Sequence, residues 1–208
     1  MMKVLLKQTA AGLRVLIVLS VLLGVIYPLG VWAVSRIPGL QSNAEGSVIT
    51  QNGQAVGSPL IGIDPVPADP AHDPWFHNRP SAVAVDSSKP LGPANPSSSG
   101  ASNLSEYNQK LVDAINQRKG LIAQREGVTP AQVPADAVTS TGSGLDPSIS
   151  VAYADLQIQR VAANSGVSVD KVRQLVNDNT SGAGIGIPGV NVLKLNLAVE
   201  AAAGHQLH

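Results

Sequence analysis

Twenty consecutive residues without a charge, VLIVLSVLLGVIYPLGVWAV at positions 15–34, limit this chain more than any other feature in it. At about 1.5 Å per helical residue the run is roughly 30 Å long, the thickness of a bilayer's hydrocarbon core. A helix at the surface of a soluble domain needs a polar face, and this run has none. Tyr27 and Trp32 sit toward its C-terminal end, where amphipathic rings favour the membrane interface. Pro28 removes one backbone hydrogen bond, which a spanning helix tolerates better near its end than at its centre. A cleaved signal peptide is the competing reading, with Ala33-Val34-Ser35 as a small-x-small cleavage site. The run is longer than the roughly 7–15 apolar residues of such a signal, so an anchor is expected.

Charge is distributed to match. Residues 1–36 carry four basic side chains (Lys3, Lys7, Arg14 and Arg36) and no acid, the first carboxylate being Glu45. The remainder has a formal charge of minus four, although the whole chain is neutral. Global charge therefore gives no sign of a nucleic-acid partner, while the asymmetry is that of a membrane protein. Three of the four early basic residues precede the span. The positive-inside rule then makes residues 1–14 cytoplasmic, 15–34 transmembrane and 37–208 extracytoplasmic. The chain has no cysteine, which is compatible with an oxidising exterior.

About 170 residues beyond the span suffice for one domain with a real core. That core must be aliphatic, because the only aromatics outside the span are Trp75, Phe76, Tyr107 and Tyr153. Residues 47–63 read as a hairpin turning at Asn52-Gly53, the pair a type I′ turn favours. Residues 64–104 are rich in Pro, Ser, Gly and Asn, and prolines from Pro65 to Pro96 exclude a continuous helix. Such a stretch is either a linker or a long ordered loop. Trp75 and Phe76 in its middle favour the ordered loop, since linkers are poor in aromatics.

Asn103 with Glu106 reads as a capping box, followed by apolar residues at Leu104, Tyr107, Leu111, Ile115 and Ile122. A second helix is capped by Ser150 or Asp146, buries Val151, Ala154, Ile158 and Val161, and stops at Gly166. Ser168 begins a third, with Val172, Leu175 and Val176 inward. Residues 190–197 alternate Leu193, Leu195 and Leu197 against Lys194 and Asn196, the pattern of a strand. The expected fold class is α+β: a single N-terminal transmembrane helix, then one extracytoplasmic α+β domain with long Pro/Gly/Ser-rich loops.

Chemistry motifs are scarce. There is no Gly-Lys pair for a P-loop, no G-x-S-x-G elbow, and neither a cysteine nucleophile nor a cysteine zinc site is possible. Residues 184–189 do satisfy G-x-G-x-x-G. A dinucleotide fingerprint needs a strand before the glycines and a helix after them. Here a helix leads in and the expected strand leads out, so the stretch reads as a helix-to-strand connector. His72, Asp73 and His77, with Asp64 and Asp69 nearby, could be imagined as a metal site. Their spacing is not that of a helical H-E-x-x-H pair, and loop-capping aspartates beside a surface histidine explain them better. His205 and His208 belong to a frayed tail.

Phe76-His77-Asn78-Arg79-Pro80-Ser81 packs an aromatic, an imidazole, an amide and a guanidinium into a loop that Pro80 stiffens. Two roles fit it equally: docking on a partner through aromatic and arginine anchors, or tying the loop internally with Arg79 on local carbonyls.

The span together with GSPLIG (57–62), WFHNRPSA (75–82), SSGASNL (98–104), VPADAVTSTGSGLDPSIS (133–150) and VNVLKLNLAV (190–199) resembles one family. It is similar to the C subunit of the bacterial Kdp potassium-transporting ATPase, the KdpC family, over nearly the whole length and in order. The resemblance implies a non-catalytic accessory subunit in the bacterial inner membrane. Its implied partners are a channel-like potassium-binding subunit, a P-type ATPase subunit and a small single-span subunit. It implies no stably bound cofactor. Potassium is the ion the complex transports, and ATP acts through the ATPase subunit, for which the C subunit is described as a catalytic chaperone raising ATP affinity. An external cap docking on the potassium-binding subunit is the rival mechanism, favoured by the charge topology. Candidate partner contacts are Phe76, His77, Asn78, Arg79, Ser81, Ser99, Ser102 and Asn103. A free-standing, membrane-anchored envelope binding or scaffolding module is the alternative from a different class.

Overall fold

The computed structural model describes residues 1–182 and 186–204 in two compact units, residues 1–48 and the domain from residue 49 onward. In the first, one helix, α1, runs Met2–Ser35 with no buried side chain, and it is long and apolar enough to cross a membrane. Its hydrogen bonding widens to π spacing over Leu22–Ile26. The wide turn holds Gly24, the residue four before Pro28, whose carbonyl a proline ring would otherwise strike. Local widening of this kind lets a spanning helix keep a proline. After α1 the Arg36 guanidinium stacks 5.5 Å from the Trp32 ring and pairs with Glu45 at 2.6 Å, beside a single turn, α2, Gln41–Ala44.

The domain begins with the expected hairpin. Strands β1 (Ile49–Gln51) and β2 (Gln54–Gly57) pair antiparallel across Asn52 and Gly53, whose φ angles of 51° and 79° are those of a type I′ turn. Helix α3 follows at Gln109–Glu126, then β3 (Ser148–Ser150), α4 (Val151–Ser165), α5 (Val169–Asp178), β4 (Thr180–Ser181), β5 (Gly189–Asn191) and α6 (Val192–Ala203). The three late strands form one antiparallel sheet in the order β3-β5-β4. The architecture is α+β, with helices predominant.

Local capping explains the elements. The Ser150 hydroxyl accepts from the Tyr153 N–H at 3.0 Å to start α4, and also donates to Asp136 at 2.8 Å. Gly166, at φ 74°, ends it. The Ser168 hydroxyl caps α5. Ile158, Val161 and Ala154 of α4, Val172 and Val176 of α5, and Leu195 and Val199 of α6 meet Ile149 and Val190 of the sheet in one aliphatic core. Phe76 inserts into that core from the proline-rich loop and is 0 % exposed, so residues 64–104 are an ordered loop.

Three expectations are corrected. Residues 190–197 are not a strand: β5 ends at Asn191, whose side chain accepts from the Lys194 N–H at 3.1 Å and opens α6. Val192, Leu195, Asn196 and Val199 are its buried positions, a helical spacing that the alternating leucines masked. Helix α3 starts five residues later than a cap at Asn103 would place it. Asn108 is the cap, accepting from Lys110 at 2.9 Å, while Asn103 takes a left-handed φ of 51° and Tyr107 is 88 % exposed. The G-x-G-x-x-G stretch is preceded by β4 rather than directly by a helix, and its last glycine, Gly189, opens β5. Gly184 and Ile185 of that motif lie outside the described residues, as do His205 and His208.

Gly62 marks where the segment after the hairpin presses on the segment before β3. Its N–H donates to the Leu145 carbonyl at 2.8 Å, and a Cβ there would lie 2.1 Å from the Asp146 carbonyl oxygen. Gly62→Ala is expected to cost about 1–3 kcal/mol or more by overpacking. Ser150→Ala is expected to cost about 0.5–2 kcal/mol through the lost cap. Thermal unfolding of the two variants in detergent should rank them in that order.

Candidate functional site

Residues 73–79 lie in an extended stretch outside any strand, so their backbone donors and acceptors must find partners elsewhere. Side-chain amides on two helices supply them. Asn196 of α6 accepts from the Phe76 N–H at 2.8 Å and donates to the Phe76 carbonyl at 2.9 Å. Gln157 of α4 does the same for His77, accepting at 2.8 Å and donating at 3.2 Å. Each amide replaces one rung of a missing strand. Arg160 donates to the Asp73 and Trp75 carbonyls at 2.8 and 2.9 Å, and Asn164 adds a bond to the Asp73 carbonyl at 3.0 Å.

The charged centre of this arrangement is His77, only 5 % exposed. Its Nδ1 lies 2.6 Å from Asp64 and its Nε2 lies 2.5 Å from Asp73. A carboxylate only accepts, so both ring nitrogens must donate and the ring is an imidazolium. Asp64 also accepts from the Asn78 N–H, and Asp73 pairs with Arg160 at 3.2 Å. Arg160 continues to Glu126 at 3.0 Å, Glu126 to Arg125 at 2.7 Å, and Arg125 to the Tyr153 hydroxyl at 3.0 Å. One chain of alternating charge thus ties the start of the loop to α3 and α4.

Burial works against a charged His77, and Arg125 adds to that. The Asp64 charge and the hydrogen bonds that the ring donates to both carboxylates outweigh them and raise its pKa above the ordinary 6.5. Burial likewise opposes the Asp73 carboxylate, yet the His77 bond and charge and the Arg160 charge hold it below the ordinary 3.8. Burial pushes the Tyr153 hydroxyl up to about 12, so it stays protonated.

The predicted contact residues divide. Phe76, His77 and Asn78 face inward and bond within the domain, the internal-tie arrangement. Arg79 also matches that arrangement, donating to the Thr139 carbonyl at 3.3 Å and lying 3.6 Å from Asp146. Its Nε and the Asn78 Oδ1 are buried without a protein partner beside a cavity of about 10 Å³, the space one water fills. Ser81 accepts from the Val83 N–H, Ser99 donates to the Ser143 carbonyl, and Ser102 and Asn103 lie at the surface. Ser81 and Ser102 line a common cavity that His77 does not line. Of the imagined metal residues, His72 pairs with Asp69 at the surface, and His77 is enclosed by Asp64 and Asp73. Among the described residues no cluster of three or more such side chains could hold a metal ion.

Sequence reasoning missed Gln157, Arg160, Asn196 and Glu126. Gln157 and Asn196 carried a signal: each is a polar residue on the apolar face of its helix, which demands a buried partner.

A groove of about 420 Å³ lies beside this network. Val56 of β2, Ile63, Trp75 and the α6 residues Leu193 and Leu197 line it, with Asp64 and Glu200 at its polar edge. Val56, Leu60, Ile61, Ile63 and Val66 are exposed along the same segment. A run of exposed aliphatic side chains of this kind marks an interaction surface.

The protonation states of the clamp set a pH window. The folded-state pKa of His77 is raised, so its stabilisation is complete below 6.5 and fades as pH rises through the raised value. That of Asp73 is lowered, so its stabilisation is present above 3.8 and fades as pH falls through the lowered value. Melting temperature should accordingly fall on the alkaline side of the imidazole range. His77→Gln should lose that alkaline dependence and about 3–5 kcal/mol of stability, because it leaves the Asp64 carboxylate without its charged partner. A variant as stable as the parent, with the same pH profile, would contradict the imidazolium assignment.

Residues 9–201 match the family described as the K+-transporting ATPase, c chain. Relatives named potassium-transporting ATPase KdpC subunit include one from Kineococcus radiotolerans, 41 % identical over 202 residues and covering 96 % of both chains. One from Rhodopseudomonas palustris (strain BisB18) is 41 % identical over 206 residues, covering 95 % of this chain and 99 % of its own. Another, from Polaromonas naphthalenivorans, is 43 % identical over 187 residues, covering 88 % of this chain and 89 % of its own. The match takes in the apolar helix, the clamp around His77 and the late sheet together, and the chain therefore belongs to the KdpC family, the c chain of the potassium-transporting ATPase.

Proposed function

We propose that this chain is a non-catalytic accessory subunit of an ATP-driven potassium uptake complex, anchored by α1 with residues 1–14 in the cytoplasm and 37–208 outside. The carrying observation is family membership over residues 9–201. Supporting it, Lys3, Lys7 and Arg14 precede the apolar run and only Arg36 follows closely, the asymmetry that keeps an N-terminus inside. The proposed partners are the channel-like potassium-binding subunit, the P-type ATPase subunit and a small single-span subunit.

In this reading the external domain works by docking. The face proposed for it is the exposed strip of Val56, Leu60, Ile61, Ile63 and Val66, and its occupant is the external surface of another subunit of the same complex. Two features argue for that occupant. The strip follows α1 closely in sequence, and the family is that of one chain among several. The acidic Glu200 at the groove's edge argues against an anionic lipid surface. The loop residues Ser99, Ser102 and Asn103 are further contact candidates.

A domain outside the membrane cannot touch ATP in the cytoplasm. It raises ATP affinity, as a catalytic chaperone is described to do, only by stabilising one conformation of the pump over another. A tenfold rise in affinity asks for about 1.4 kcal/mol of such preference, within the reach of one well-packed aliphatic contact.

The chain has no cysteine, so single cysteines report sidedness cleanly. Ser87→Cys and Ser168→Cys, both at exposed positions, should react with an impermeant thiol reagent on intact cells. Protection of both until lysis would overturn the external placement. Leu60→Asp with Ile63→Asp should reduce co-purification with the other subunits by about tenfold or more while leaving the melting temperature of the isolated chain unchanged. Undiminished co-purification would remove this strip as the docking face.

A further inference from the structure

Another cavity, of about 330 Å³, lies between the turn at Ser87–Pro90, the loop 101–104 and α3. Its character is different: two cations, Lys89 and Arg118, and four serines, Ser81, Ser87, Ser102 and Ser140, line it over an apolar floor of Leu111 and Ala114.

Arg118 is the informative residue. Its guanidinium is half-buried, donating from Nε to the Pro90 carbonyl at 3.1 Å and from Nη1 to the Val138 carbonyl at 3.0 Å. Those carbonyls fix its direction but carry no charge. Arg36, Arg79, Arg125, Arg160 and Arg173 each have a carboxylate within ion-pair distance. Arg118 has none among the described residues. Burial lowers its pKa with no opposing charge to compensate. A desolvated cation without a counter-charge is costly, and the cavity it lines is where an anion would offset that cost. The neighbouring Asp86 answers Lys89 rather than Arg118: its carboxylate is held by the Ser88 hydroxyl and N–H at 2.6 and 2.9 Å, and the Lys89 charge helps them lower its pKa.

The serines complete the argument. The hydroxyls of Ser87, Ser102 and Ser140 bond no protein group among the described residues, and Ser81 accepts from the Val83 N–H while keeping its own proton to donate. Donors therefore arrive from several chain segments, which suits a tetrahedral group with acceptor oxygens on every side better than a planar carboxylate. We propose that this cavity binds a single phosphate group, held by Arg118 and Lys89 and hydrogen-bonded by the surrounding serine hydroxyls. Two cations match one phosphate and leave the charge of a triphosphate largely uncompensated. The phosphate comes from free inorganic phosphate, a small phosphomonoester or a phospholipid headgroup, three sources that share this chemistry.

Calorimetric titration of the full chain in a neutral maltoside detergent, at constant ionic strength with chloride as the reference anion, tests it. The probes are inorganic phosphate, glycerol 3-phosphate and dihexanoyl phosphatidylglycerol, and the tightest binder identifies the source. At least one should bind saturably, one per chain. Arg118→Gln should weaken it about tenfold or more, and Lys89→Gln about threefold. Arg118 also holds two carbonyls, so the variant S102A/S140A provides a test that leaves those bonds in place. It should bind several-fold more weakly with an unchanged melting temperature in chloride. No saturable binding by any of the three probes, or parent-like affinity in S102A/S140A, would overturn the assignment.

Discussion

A charged imidazole buried between two carboxylates is the constraint on which the rest of the domain depends. Each carboxylate alone would be costly to bury, and so would the ring. Together they are tolerable only if every remaining lone pair and proton is satisfied, and the fold meets that demand. Asp64 takes the Asn78 N–H, Asp73 takes Arg160, and Arg160 is held by Glu126 and Gln157. The order of the Pro-rich loop follows. A segment with no strand partner and little apolar surface of its own is fixed because its charges and backbone groups have nowhere else to go. Phe76 then adds the apolar burial that pins it into the core.

This arrangement also explains the economy of strands. The sheet β3-β5-β4 is short, and the extended stretch at 73–79 is not part of it. Two amides, Asn196 and Gln157, imitate the pairing of a neighbouring strand from helices instead. Such a mimic is stricter than a ladder. A strand can slip by two residues and keep its faces, whereas an amide that must both donate and accept at one residue fixes the register outright.

Much of the fold was legible because local rules and tertiary context agreed. Asn52-Gly53 needed no context to specify a turn, and Ser150, Gly166 and Ser168 punctuate their helices by side-chain chemistry alone. The long apolar helix was legible for the plainest reason, a charge-free run whose length matches a bilayer. Where the reading failed, two signals competed. In VNVLKLNLAV the alternating leucines spoke for a strand, but Leu, Lys and Ala favour a helix, and burial at Val192, Leu195 and Val199 decided. At Asn103 the capping-box spelling was present, yet the helix began at another asparagine. A cap signals where a helix can start, and packing chooses which start is used. The clamp was only half legible. His77 and its neighbours stood out, but their partners lie far along the chain, at Gln157, Arg160 and Asn196, where nothing local announces them.

The division between interior and surface bears on how a subunit like this one contributes to a pump. The most distinctive residues, the packet around His77, are spent inside the domain on holding its shape. What faces outward is chemically plain: an aliphatic strip near the hairpin and a serine-lined cavity with two cations. Under the proposed external placement, a rigid body is what the subunit needs to favour one conformation of its partners, because a compliant domain would follow their movement and transmit no preference. The charge clamp holds the domain's shape by pairing each of its buried charges with an opposite one. Distinctive sequence in this chain therefore reports the stiffness of the device, and its contacts must be sought in residues that no motif would single out.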